Sequence, residues 1–193
     1  MAPEKFSSSS RGFSLVEVVV AMGILTVVSL GVAQLFAAST RANIIAKGQT
    51  STTVLAEQKM EQIRSLTWGF DASGEGLPVS DTISNLTVYP TTQNGKGLDP
   101  SPADSLESNT TGFVDYVDAG GAWVGTGSTP PGNAVYIRRW SIQPLPTNPN
   151  NTLVIQVLVT PIANEAARLT TSNPRIRMPG DTLLVTVKTR KAS

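Results

Sequence analysis

Cysteine and histidine are both missing from this 193-residue chain. Without cysteine there is no disulfide and no thiolate metal site. Without histidine the commonest general base and the commonest metal ligand are gone. Catalysis would have to rest on carboxylates, lysines or hydroxyls, and no carboxylate pair stands out as a catalytic pocket. The chain is therefore read as a non-enzyme without a cofactor. Charge is sparse and balanced, 15 Lys and Arg against 14 Asp and Glu, so no global field points to nucleic acid. The Gly-rich stretches "GSTPPGN" and "GEG" lack a following Gly-Lys-Ser/Thr and read as loops rather than phosphate cradles. No internal repeat is visible, and the length fits one globular domain with extras.

What the chain does have is an apolar N-terminal run, "RGFSLVEVVVAMGILTVVSLGVAQLF" over residues 11–36. From Val18 to Thr40, 23 residues carry no charge, enough to cross a bilayer as a helix. Lys5 and Arg11 precede it and favour a cytoplasmic N-terminus. Glu17 stands at its mouth. Three readings compete. A secretory signal peptide would end in small residues, as "AQLFAAST" does. An uncleaved anchor explains the length, with Glu17 as a carboxylate at the favourable positive end of the helix dipole.

The third reading uses every odd feature at once. A polar leader, "MAPEKFSSSSRG", ends in Arg11 and Gly12; the aromatic Phe13 follows, and Glu17 is the fifth residue counted from Phe13. This pattern resembles the class III leader of type IV pilins and type II secretion pseudopilins. The resemblance implies that a prepilin peptidase cuts between Gly12 and Phe13 and methylates the new Phe13 amine. It also implies that Glu17 of one subunit meets the Phe13 amine of the next during assembly. The physics agrees with such a pairing, because a charge entering hydrocarbon costs at least about 2.5 kcal/mol unless it finds a partner.

Beyond Thr40 the helix pattern continues. Ile45, Gly48, Thr52, Ala56, Met60, Ile63 and Leu66 recur at intervals of three or four and form one face of an amphipathic helix. Glu57, Lys59, Glu61 and Arg64 fall largely elsewhere. "TWGFDASGEGLP" ends the pattern, so a helix from about Phe13 to Thr67 is expected, roughly 80 Å long at 1.5 Å per residue. Strands are expected late: Thr152–Val159 with Leu153, Ile155, Val157 and Val159 on one face, and Thr182–Arg190 with Leu183, Val185 and Val187 on one face and Lys188 and Arg190 on the other. Ala134–Ile142 is a third strand, joined to the next by the turn "PLPTNPNN" over residues 144–151. Thr82–Tyr89 and Gly112–Val117 are weaker candidates.

The expected fold is α+β and pilin-like: a long N-terminal helix, part membrane and part amphipathic, packed on a C-terminal antiparallel sheet. The divisions are 1–12 leader, 13–40 membrane and assembly half of the helix, 41–67 amphipathic half, and 68–193 head. "AEQKMEQIRSL" with "YIRRWSI…LVIQVLV" looks like PilV-type minor pilins and the related type II secretion pseudopilin I. Two departures set it apart from major pilins: no C-terminal disulfide loop is possible, and Gln34 stands near the place of the usual membrane-helix proline. Gly23 and Gly31 are the weak points of that helix. The resemblance implies a minor pilin subunit with a structural or priming role in motility, adhesion or secretion, or a pseudopilin at a secretion tip. It implies a single-pass inner-membrane protein with its C-terminal domain outside the cytoplasm, later incorporated into a filament. The implied partners are the peptidase and other pilin or pseudopilin subunits.

Two further features bear on function. Asp115 and Asp118 lie close enough to raise calcium, but the ligand set is incomplete and a solvated turn is the plainer reading. Residues 69–133 hold eight acids and one base, and residues 134–193 hold eight bases and two acids. Either two faces neutralise each other within the domain, or they meet between subunits. A DNA-uptake role would use Arg175, Arg177, Lys188, Arg190 and Lys191.

Overall fold

A computed structural model describes residues 12–71, 75–88, 93–170 and 176–191. The chain divides into two compact units, Met1–Ile44 and Ile45–Ser193. Helix α1, Leu15–Ser65, contributes residues to both. It starts and stops close to the expected ends, with Glu17 in its first turn and Arg64 in its last, the signs that suit the helix dipole.

In the second unit the order is β1 Trp68–Phe70, β2 Pro78–Ser80, β3 Val114–Val117, β4 Trp123–Gly125, β5 Tyr136–Pro144, β6 Thr152–Pro161, α2 Ile162–Leu169 and β7 Thr182–Thr189. β1 and β2 form a small hairpin, and the other five make one antiparallel sheet in the order β4-β3-β5-β6-β7. The fold is thus the expected α+β arrangement, a long N-terminal helix followed by an antiparallel sheet that packs on its second half.

Packing follows from the two periods. On α1, Thr52, Leu55, Ala56, Lys59, Met60 and Ile63 are buried, neighbours at three and four residues. On the sheet, Trp140 and Ile142 of β5 pair with Val157 and Ile155 of β6, and all four join Met60 and Ile63 in the main core. Opposite-face residues Val114, Tyr116 and Ile137 form a second cluster, against which Ile162 of α2 packs. Leu153, Ile155, Val157 and Val159 all lie in the main core as the alternation of β6 predicts.

Several expectations need correction. Ile45 is 51% exposed, so the buried stripe begins only at Thr52. Lys59, expected on the solvent side, is 1% exposed. Strand β7 alternates as expected but with the opposite face inward: Leu183, Val185 and Val187 are 40%, 56% and 56% exposed. The inward residues are Thr182, Leu184, Thr186 and Lys188. Thr182 Oγ1 lies 2.9 Å from Thr52 Oγ1, and Lys188 Nζ donates to the Arg64 carbonyl at 2.6 Å. This edge strand therefore meets α1 partly through hydrogen bonds, and apolar spacing alone cannot identify its inner face. Thr82–Val88 is turn and irregular structure, and Tyr89 lies outside the described residues.

Candidate functional site

In the first unit every described residue is exposed, from Gly12 through Ile44. Gly12, Phe13 and Ser14 precede the helix, and the first backbone bond of the turn runs from Val18 N–H to the Ser14 carbonyl at 3.2 Å. A Cβ built on Gly12 would meet nothing within 4 Å. Among the described residues, no neighbour crowds this position. Phe13 is 81% exposed. Glu17 is exposed one turn along from Phe13, on a helix whose apolar side chains through Phe36 are exposed among the described residues. By length and composition α1 is able to cross a membrane.

The second unit contains a buried ionic cluster that sequence reading missed. Asp115 of β3 faces Arg138 of β5 in the sheet register. Arg138 donates from Nε to Oδ1 at 2.6 Å and from Nη2 to Oδ2 at 2.9 Å, a bidentate grip. Lys59 Nζ donates to Asp115 Oδ2 at 3.0 Å and to Gln62 Oε1 at 3.1 Å, and sits 3.8 Å over the Trp140 ring. Burial alone would raise the Asp115 pKa, but Lys59 and Arg138 together hold it below its ordinary 3.8. Burial pulls the Lys59 ammonium below its ordinary 10.5, against the attraction of Asp115. The two directions are consistent, since the carboxylate has two cations while Lys59 has one anion that it shares with Arg138. The signal in the sequence was positional: Lys59 lies four residues from Leu55 and three from Ala56, on the apolar stripe.

This cluster is unsuited to catalysis. The adjoining cavity has only about 10 Å³ of room, and both oxygens of Asp115 are held by cations. Nor is it a solvated turn or a calcium loop. Asp118 is spent elsewhere, its Oδ1 accepting from Gly120 and Ala122 N–H at 2.9 Å each. Among the described residues no group of three or more acidic, histidine or cysteine side chains is placed to hold a metal.

The basic residues are not gathered either. Arg175 lies outside the described residues. Arg177 feels the charges of Arg168, Asp181, Glu107 and Arg139, whereas Lys188 and Arg190 reach Arg64 and Trp68 beyond the other end of β7. The Asp115–Arg138 pair links the acidic stretch to the basic one inside the domain, in keeping with internal neutralisation.

No curated protein and no solved structure matches the chain. Residues 7–33 match the family model of the prokaryotic N-terminal methylation motif. That segment contains Gly12, Phe13 and Glu17 and the exposed start of α1, and the match supports a protein of the type IV pilin or pseudopilin kind.

Proposed function

We propose that the chain is a minor pilin subunit, cut between Gly12 and Phe13, methylated on the Phe13 amine, and held by α1 in the inner membrane before it enters a filament. The observation that carries this reading is the conjunction of the methylation motif with a helix whose apolar first half is bare. Such a surface needs lipid or other helices around it. A pseudopilin of a secretion system would share each of these features. The chain's own residues divide the work. Gly12 offers a cleavable bond without a side chain. The apolar residues after Glu17 supply insertion and lateral packing. Glu17 offers the single negative charge that a neighbour's new Phe13 amine needs, and so sets the axial register.

Glu17→Gln and Glu17→Leu are expected to leave cleavage largely intact and to impair incorporation. Leaving one member of a buried ion pair uncompensated costs up to about 3–5 kcal/mol, less where the amine recovers water at the interface. The assay is co-purification of the variant with sheared filaments or partner pilins, with processing followed in parallel. Assembly at the wild-type level would reduce Glu17 to a carboxylate at a helix start.

A further inference from the structure

A cleft of about 500 Å³ opens where the β1–β2 hairpin, the 98–100 segment, the turn between β5 and β6, and the end of β7 meet. One wall is a fixed stack. The Arg190 guanidinium lies 3.8 Å over the Trp68 ring and 5.4 Å from the Phe70 centroid. It is held there by donating from Nε to the Asn150 carbonyl at 3.0 Å and from Nη1 to the Gly69 carbonyl at 2.9 Å. Four prolines, at 78, 100, 144 and 149, add apolar ring surface. The 98–100 wall is brought in by Gly97, whose φ of +57° and close approach to the Asp81 carbonyl admit no side chain, and by the Leu98 N–H bond to that carbonyl at 2.8 Å.

Three polar side chains of the cleft are unused. Ser80, Asp99 and Asn150 line it, and among the described residues their side chains make no hydrogen bond or ion pair. Among the described residues Arg190 has no carboxylate partner, and its Nη2 makes no hydrogen bond. A carboxylate, an amide and a hydroxyl without side-chain partners among the described residues thus line the same cleft as the stacked guanidinium, beside aromatic and proline rings.

We propose that this cleft binds a neutral saccharide. Opposite fixed charges in one small cleft disfavour both a strongly anionic and a strongly cationic ligand. Asp99 would repel a phosphate chain or sulfated glycan, and Arg190 would repel a polyamine. A sugar ring supplies what remains: several hydroxyls, each able to donate and accept, and a C–H face that covers aromatic and proline rings. Fixing Arg190 in its stack beforehand reduces the ordering cost of binding. The inference stands apart from the N-terminal processing reading and from filament assembly.

The test applies the full-length protein in detergent to a printed array of neutral, sialylated and sulfated glycans, with a proline-rich peptide as a further probe. Calorimetry follows with the best neutral glycan. Saturable binding is expected, weakened about tenfold or more by Asp99→Ala and by Asn150→Ala, the scale of one lost hydrogen bond to a polar or charged group. Glu57→Ala, on the exposed face of α1, should change nothing. Because neither cleft side chain supports the fold, both variants should keep the wild-type unfolding midpoint. Absence of any neutral glycan binder would overturn the proposal, as would binding indifferent to both substitutions. Preference for the peptide or for sulfated glycans with the same residue dependence would also overturn it and reassign the cleft.

Discussion

Met60→Ala combined with Ile63→Ala should leave the second unit close to unfolded. Met60 and Ile63 are 5% and 0% exposed and pack in the core with Trp140, Ile142, Ile155 and Val157. Each truncation costs about 2–5 kcal/mol, as lost transfer energy plus a cavity. The whole stability of a domain is of order 5–15 kcal/mol. The two sites are one helical turn apart, so their costs need not add, but even partial additivity removes most of the margin. Denaturant unfolding of the full-length protein in detergent, followed by tryptophan fluorescence, measures it. Val54→Ala, on a side chain 57% exposed, is the matched control and should shift the midpoint little. An unchanged midpoint in the double variant would mean that the helix face meets solvent or partners instead of the sheet.

Asp115→Ala is the second large effect, expected to cost about 3–5 kcal/mol because it leaves Lys59 and Arg138 as uncompensated buried cations. Lys59→Met should cost far less, since it leaves a neutral Asp115–Arg138 pair and an apolar side chain over Trp140. The contrast separates a keystone carboxylate from a general polar contact: equal losses would contradict the shared-anion arrangement. The pH dependence has a definite sign. The folded-state pKa of Asp115 lies below its ordinary 3.8, so its stabilisation is fully present above that value and is lost as pH falls through the folded pKa. Asp115→Ala should therefore remove part of the acid-induced loss of stability. For Lys59 the folded value lies below 10.5, so the unfolded chain binds more protons in the window between them. Stability gains a contribution there as pH rises, which Lys59→Met should abolish.

Particular residues show what the sequence made legible. The apolar alternation of β6 identified its inner face because that strand lies between β5 and β7 and its core side is wholly aliphatic. The same rule put the wrong face of β7 inward, because that strand docks on α1 through Thr182 and Lys188 while its aliphatic side is open. Strands β1, β2 and β4 have three residues each, too short for any period to register. Helix α2 has eight residues and Pro161 as its N-cap, with no side-chain cap bond. Its local signals were the helix formers Ala163, Glu165, Ala166, Ala167 and Arg168, with Glu165 and Arg168 forming an ion pair at 3.2 Å. The cluster of Lys59, Asp115 and Arg138 was hidden for a different reason: three charges far apart in the chain become neighbours only once strand register is fixed. The N-terminal site was the reverse case. The methylation motif over residues 7–33 was legible because its spacing is local and needs no tertiary contact to be read.

The most direct measurement is the intact mass and N-terminal sequence of the protein recovered from membranes of cells that contain the prepilin peptidase. The mature chain should begin at Phe13, lack residues 1–12, and carry one methyl group on its amine. Gly12 replaced by a bulky residue should leave the longer precursor in the membrane. A mature N-terminus at any residue other than Phe13, or an uncut wild-type chain, would contradict the assignment of this segment as a processed pilin leader.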